Sequence, residues 1–336
     1  MACLYVTEQG SKICNSNGKF TVEKNGINMT SIPEKKIESL MVYGGVQITT
    51  QAMHRCLVEG INVSFLNMNG SEYGKLVKMN DNAIRLRKQV YISDNKKQTL
   101  KFAKKIIDAK INNQLTILRR YSGDEYKISK EYEKGISDML KYKKLVSRAF
   151  SKESILGYEG SVAKIYFKML SEIINPEFKF EGRNRRPSLD PFNAMLNFGY
   201  YLLYNVIYTA LTDRKLSPSI GFLHCEEENN PAMISDMIEE WRAVLVDSTV
   251  LSMLKGNELS IEDFEKNKET GECRMKRTII SEFINKLEKK MRTKNNYLDY
   301  LKEEVDFREA IWFQAASLAK CIDEGDLEKY TPIKLR

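Results

Sequence analysis

Histidine is scarce in this chain, with only His54 and His224 among 336 residues. A structural zinc site wants thiolates or more imidazoles than that, so any metal centre here has to rest on carboxylates. Cysteine does not fill the gap. Cys3, Cys14, Cys56, Cys225, Cys273 and Cys321 are scattered without a CxxC pair, which argues against a zinc knuckle and for reduced thiols in a cytoplasmic protein. Cys225 adjoins His224, but no base and oxyanion site accompany it, so a thiol nucleophile lacks support. No apolar run approaches the ~20 residues of a membrane span. The opening "MACLYVTEQGSKIC" has no basic flank ahead of an apolar stretch, so no signal peptide is expected. A GxxxxGK[ST] phosphate loop is missing as well.

Basic charge, by contrast, is plentiful and uneven. The formal net charge is +8, yet residues 75–150 alone hold twenty Lys/Arg against eight Asp/Glu, a balance of +12. "RLRKQV", "NKKQTLKFAKK", "LRRYSG" and "KYKKLVSR" supply most of it, interleaved with Tyr91, Tyr121, Tyr126, Tyr132 and Tyr142. Solvated helix faces account for many of these lysines. An excess this large over one region points to a polyanionic partner, DNA or RNA.

The punctuation of the chain changes near Asp81. Before it, "CLYVT", "SKICNSNGKFTVEKNG", "IESLMVY", "QITT", "INVSFLN" and "YGKLVKM" are short β-branched or aromatic runs separated by Asn-Gly and Gly-Gly turns. One helix around "TQAMHRCLVEG" interrupts them and carries His54, which has no partner in sequence and reads as structural. Beyond it, helical periodicity predicts segments over 82–93, 97–120, 129–149, 152–174, 190–213, 231–254, 260–267, 275–295 and 297–323. The expected class is α+β: a β-rich, sandwich-like domain over 1–80, then a larger all-α domain over 85–336.

Two helical stripes carry misplaced acids. Ile155, Glu159, Val162, Tyr166, Met169 and Ile173 follow one another at intervals of 4, 3, 4, 3 and 4, so Glu159 occupies a core-facing position between Gly157 and Gly160. A carboxylate there costs several kcal/mol unless something compensates it, either a buried arginine or a bound cation. Ala232, Asp236, Glu239, Ala243, Val246 and Val250 repeat the spacing, in a helix opened by Pro231 with Asn229 or Asn230 as the expected cap. Two acids one turn apart on an inward face repel unless a cation lies between them or one is protonated. His224 stands just upstream, in "GFLHCEEENNPAMISDMIEEWR". Together Glu159, His224 and the Asp236/Glu239 pair form a donor set suited to Mg²⁺ or Mn²⁺ with water positions left over. In a basic protein such a centre serves phosphoryl transfer on nucleic acid. A hydrolase for a small phosphorylated substrate is the weaker reading, for want of a phosphate loop.

These stretches resemble the CRISPR adaptation integrase family, whose members insert new spacers into CRISPR arrays. "KINNQLTILRR" (110–120) resembles its basic helix and "GYEGSVAKIYF" (157–167) its metal-glutamate helix. "GRNRRPSLDPFNAMLNFGYYLLY" (182–204) resembles its arginine–proline segment and following helix, and "GFLHCEEENNPAMISDMIEEWR" its histidine turn and acid helix. The resemblance covers nearly the whole chain. It implies that Glu159 and His224 ligate the metal, and that the second acid of the Asp236/Glu239 pair is the third ligand. Glu240 follows at once, and the stripe favours Glu239 over it. Lys110, Arg183, Arg185 and Arg186 are candidate phosphate contacts or, alternatively, structural ion pairs.

The resemblance further implies a homodimer formed through the β domains and a small companion adaptation subunit. It implies a transesterification in which the 3′-hydroxyl of incoming double-stranded DNA attacks a phosphodiester at the edge of a CRISPR repeat. Two alternatives share these residues. One is a metal-dependent endonuclease for branched or single-stranded DNA, with water as nucleophile; the other is a non-catalytic nucleic-acid scaffold.

Overall fold

The computed structural model describes residues 2–67, 72–78, 82–185, 187–225, 231–298, 300, 301 and 303–335. Its two compact units are Met1–Asp81 and Asn82–Arg336.

In the first unit, strands β1 (Ala2–Val6), β2 (Lys12–Ser16), β3 (Lys19–Lys24), β4 (Ile27–Pro33), β5 (Ile37–Tyr43), β6 (Gln47–Ile48), β7 (Asn62–Leu66) and β8 (Glu72–Leu76) form two four-stranded sheets. Their orders are β1-β5-β7-β8 and β4-β3-β2-β6. The meander β2-β3-β4 turns twice on Asn-Gly pairs. Asn17 and Gly18 have φ of 51° and 70°, and Asn25 and Gly26 have φ of 51° and 77°, the left-handed pair a two-residue hairpin needs to match strand twist. Helix α1 (Thr50–Glu59) is capped by the Thr49 side chain and stopped by Gly60 in the left-handed conformation. Val6, Ile37, Leu40, Val42 and Val63 of one sheet pack with Ile13, Phe20 and Val22 of the other, and with Ala52 and Cys56 of α1. The unit is therefore a sandwich with its core between the sheets.

The second unit is built on α2 (Ala83–Ser93), α3 (Lys96–Tyr121), α4 (Asp124–Lys127), α5 (Lys130–Arg148), α6 (Lys152–Ile173), α7 (Pro191–Asp213), α8 (Ala232–Ile238), α9 (Ser248–Lys255), α10 (Arg277–Met291) and α11 (Phe307–Glu324). Ile155, Val162, Tyr166, Met169 and Ile173 of α6 are all buried, as their spacing predicts.

Three departures from the periodicity have physical causes. The helix expected over 231–254 breaks at 239–241 and rewinds as a π-helix over Arg242–Asp247 before α9. Over 260–267 only a 3₁₀ turn forms, at Ile261–Asp263, and Phe264–Lys266 then pairs with Cys273–Met275 as a ribbon. The Asn267 side chain accepts from Glu269 N and Thr270 N, and Gly271 has φ of 69°, so the turn chemistry overrides a weak helical pattern. The last helix begins at Phe307, where Asp306 and Glu309 form a capping box, rather than at 297.

Candidate functional site

Segment 217–224, between α7 and α8, places the histidine. Gln89 of α2, fully buried, donates to the carbonyls of Ser217 and Ile220 at 2.9 and 2.8 Å and accepts from Ser217 N. A Cβ on Gly221 would stand 2.6 Å from the Ala232 Cβ and 2.8 Å from its carbonyl carbon, so only glycine lets this turn lie directly on α8. The backbone N–H groups beyond it then point at Asp236. Oδ2 accepts from Phe222 N at 2.5 Å and Leu223 N at 2.9 Å, and Oδ1 accepts from His224 N at 2.9 Å.

Asp236 Oδ1 also meets His224 Nδ1 at 2.8 Å. Asp236 accepts from three backbone N–H groups, so in the neutral imidazole Nδ1 is the donor that completes the set and Nε2 is left as a lone-pair donor. Burial pushes the imidazole pKa down, but Asp236 and the charge of Glu239 outweigh it, and the net direction is up. Asp236 thus orients the histidine, as the outer partner that metal-binding imidazoles ordinarily have.

Glu159 and Glu239 come from α6 and the end of α8, and they share one cation. Lys110 of α3 pairs with Glu159 Oε1, and its Nζ lies 2.6 Å from Glu239 Oε2. Arg242, one turn on, approaches Glu239 Oε1 at 3.2 Å. Burial pushes the Glu239 carboxyl up, but Arg242, Lys110 and His224 bring it down to about 2. Its Oε2 makes no aligned hydrogen bond, even to Lys110. Nothing lies within 4 Å of where a Cβ would stand on Gly157 or Gly160, and Gly157 is exposed.

This geometry bears on several sequence expectations. Among the described residues no three His, Cys, Asp or Glu side chains close on a ready metal position. Lys110 stands between the two glutamates, and His224 turns Nδ1 away to Asp236. Of the two roles expected for Lys110, phosphate contact or structural ion pair, the geometry shows the ion pair: it is 6% exposed and held by both acids.

Arg183 is likewise engaged inside the fold. It donates to Asn193 Oδ1 at 2.8 Å and Asn197 Oδ1 at 2.6 Å, with its guanidinium 5.4 Å from the Tyr200 ring centre. The "DPFN" start of α7 explains this loop: Asp190 caps the helix, while Asn193 bonds back to Asp190 and to the Gly182 carbonyl. Arg185 is exposed. Arg186, Glu226, Asn229 and Asn230 lie outside the described residues.

Glu240 takes no part in the cation cluster. Its carboxylate accepts from Tyr330 OH, from Gln314 Nε2 at 3.0 Å and from Ile333 N at 2.7 Å. Sequence reasoning missed two neighbours. Arg242 stands in the quoted "EEWR" but carries no motif. Asp247 accepts from Tyr166 and Tyr200, whose ring Arg242 also faces at 5.1 Å. Only the signal of a second charged residue one turn beyond Glu239 was there to find Arg242.

As a donor set, two carboxylates and a free imidazole nitrogen fit Mg²⁺ or Mn²⁺, and the lysine ammonium between the carboxylates marks a place where positive charge is favoured.

Comparisons with known proteins bear on this arrangement. The family model described as CRISPR associated protein Cas1 matches residues 4–289. A CRISPR-associated endonuclease Cas1 of Chlorobaculum tepidum is 30% identical, over 99% of this chain and 98% of its own length. That of Mycobacterium tuberculosis is 28% identical, over 100% of this chain and 98% of its own. Among solved structures, a CAS1 protein from Thermotoga maritima superposes with a TM-score of 0.81 at 19% identity, covering 96% of this chain and 97% of that one. A casposase bound to its integration product superposes at 0.82 with 23% identity, covering 97% and 93%. These two likenesses concern the fold.

Proposed function

Because this chain belongs to the Cas1 family of CRISPR-associated proteins, we propose that it is a metal-dependent DNA integrase that inserts new spacer DNA into a CRISPR array by transesterification. The observation that carries the reading is the pair Glu159 and Glu239, brought from two helices onto one cation beside an imidazole whose free nitrogen Asp236 fixes. Glu159, Glu239 and His224 Nε2 would hold the metal. When bound, Mg²⁺ or Mn²⁺ would polarise the scissile phosphate and lower the pKa of the attacking hydroxyl.

The residues themselves bind and orient. Asp236 holds the histidine tautomer, Arg242 holds Glu239 ionised, and among the described residues of the cluster none is assigned as a covalent nucleophile. The nucleophile therefore comes with the substrate, as the 3′-hydroxyl of the incoming fragment, and one phosphodiester is exchanged for another. Phosphate affinity is assigned to Arg185 and to the exposed cations of the basic helices, among them Lys97, Arg119, Arg120, Lys141, Lys144 and Arg148.

Dimerisation is assigned to the β unit. Its edge strand β4 bears Ile27 and Met29 at 69% and 54% exposure, apolar side chains on an unpaired edge. A small companion subunit completes the assembly. This assignment has support in the fold shared with chains of a Cas6-RT-Cas1–Cas2 complex, to which this chain is 21% identical.

The test is a joining assay in Mg²⁺ or Mn²⁺, with and without a companion subunit, on supercoiled DNA carrying a CRISPR repeat. A fragment with a 3′-hydroxyl is expected to join and a dideoxy-ended one to fail. The name endonuclease borne by the curated relatives favours a second reading. Equal processing of both ends would make water the nucleophile and establish it.

A further inference from the structure

We propose that Lys110 is the site's internal counter-ion: it holds Glu159 and Glu239 together when no metal is bound, and it must give way before a divalent cation enters. Metal binding by this chain is then coupled to the arrival of a DNA phosphate. The inference rests on the metal-site reading above and deepens it.

Charge counting leads to it. Two carboxylates, Glu159 and Glu239, face two cations, Lys110 and Arg242. These two cations already balance the two glutamates, and the Asp236–His224 pair stands beside them. Lys110 and Glu239 are 6% and 4% exposed, while Glu159, Arg242 and His224 are half-buried, so water screens the Lys110–Glu239 pair least and a like charge brought in there is felt strongly. A divalent cation would add two positive charges to a balanced set. Either a resident cation leaves, or an anion comes with the metal.

Of the two cations, Lys110 is the one free to move. Arg242 is pinned over the Tyr200 ring as well as to Glu239, and a guanidinium keeps its geometry. Lys110 has a flexible four-carbon stem ending in a point charge, and its contacts in the site are the two carboxylates that a metal would claim. A phosphodiester entering with the metal supplies the missing negative charge and a new partner for the displaced ammonium. That recovers, in a different form, the phosphate role that Lys110 was expected to have from sequence.

The experiment measures Mn²⁺ binding directly, following the free-ion EPR signal in titrations of the full chain. Each titration is run with and without a short dideoxy-ended duplex that cannot react. In the wild type, DNA should tighten Mn²⁺ binding by a factor in the usual range for linked sites, about 5–150-fold. Lys110→Met, which keeps the stem and removes the charge, should bind Mn²⁺ tighter than wild type without DNA by a similar factor, and DNA should add little more. Added Mn²⁺ should also raise its melting temperature further than that of the wild type.

Lys110→Met binding no tighter than wild type, with the DNA effect intact, overturns the proposal and leaves Lys110 a structural ion pair. If that variant does not fold, Lys110→Gln takes its place. If neither folds, the wild-type titration decides, and Mn²⁺ affinity indifferent to DNA overturns the idea. Glu239→Gln separates the two levels. Should it bind Mn²⁺ as well as wild type, the metal-site reading fails, whatever Lys110 does.

Discussion

Glu239 and Glu240 are adjacent, identical in chemistry and both buried, yet the fold treats them in opposite ways. Glu239 faces Lys110 of α3, Arg242 of the following π-helix also meets it, and its pKa falls to about 2. Glu240 faces α11 and the segment 330–333, where its partners are a phenol, an amide and a backbone N–H. Burial dominates there, and the carboxyl is pushed up to about 7 despite those three hydrogen bonds. Hydrogen bonds from neutral donors satisfy a carboxylate's lone pairs, whereas cations also stabilise its charge. One turn of chain therefore presents a charged face toward the proposed chemistry and an anchoring face toward the core. The break at 239–241 and the π-helix after it let consecutive residues point to both sides; such π segments recur at functional sites.

The strongest way to break this comparison is to neutralise each acid in turn. Glu239→Gln should lower strand joining and Mn²⁺ affinity by about 100-fold or more, while DNA binding at fixed salt stays near wild type. Glu240→Gln should keep joining within the same order of magnitude, because the amide oxygen accepts from Gln314 and Ile333 and the amide nitrogen donates to Tyr330. Equal losses from the two substitutions would mean that the faces are not distinct.

Asp236→Asn probes the support behind the charged face. An amide cannot accept from three backbone N–H groups and an imidazole N–H without turning its own N–H toward one of them. A loss of about 3–5 kcal/mol is expected in chemical denaturation, with Mn²⁺ affinity down by about 10–100-fold as His224 loses its tautomer lock. If metal affinity is unchanged, His224 is not a ligand. On the anchoring face, Glu240→Ala strands Tyr330, Gln314 and Ile333 N. Each buried orphan costs about 1–3 kcal/mol, so its melting temperature should drop clearly below that of Glu240→Gln.

Part of this was legible in the sequence. The Asn-Gly turns at 17–18 and 25–26 announce hairpins because few other residue pairs take positive φ twice in a row. The 4-3-4 spacing put Glu239 inside but Glu159 only at the edge of the core, where it is half-buried, and the same stripe preferred Glu239 to Glu240. Periodicity could not show which cation would meet them, since Lys110 arrives from a helix some fifty residues before Glu159 and its basic surroundings read as a surface. Nor could it give Asp236 its role, which depends on Gly221 letting a turn lie against α8. The ribbon at 264–275 was hidden by a short helical pattern that one Asx turn and one glycine overrule.

A third buried charge sharpens the comparison, because it has the wrong neighbours. Lys290 of α10 sits half-buried beside the Ser248 hydroxyl. Burial, then Arg120, push its amine down; Asp247 opposes them, Lys286 adds a little, and the result is about 8. Its ordinary value is about 10.4, so between about pH 8 and 10.4 the unfolded chain holds this proton more often than the folded one. Stability contributed through this group therefore rises with pH across that window. Below it both states are charged and the penalty is constant; above it both are neutral and the penalty is gone. Lys290→Met removes the charge while filling the same space, and Ser248 keeps its bond to the Val244 carbonyl. The variant should be more stable than wild type at pH 7, by up to about 3 kcal/mol less the ~1 kcal/mol of the lost hydrogen bond. That advantage should vanish near pH 10. Denaturation curves for both proteins at the two pH values decide it: a difference that does not change with pH would mean that Lys290 reaches water and that its like-charged neighbours matter little.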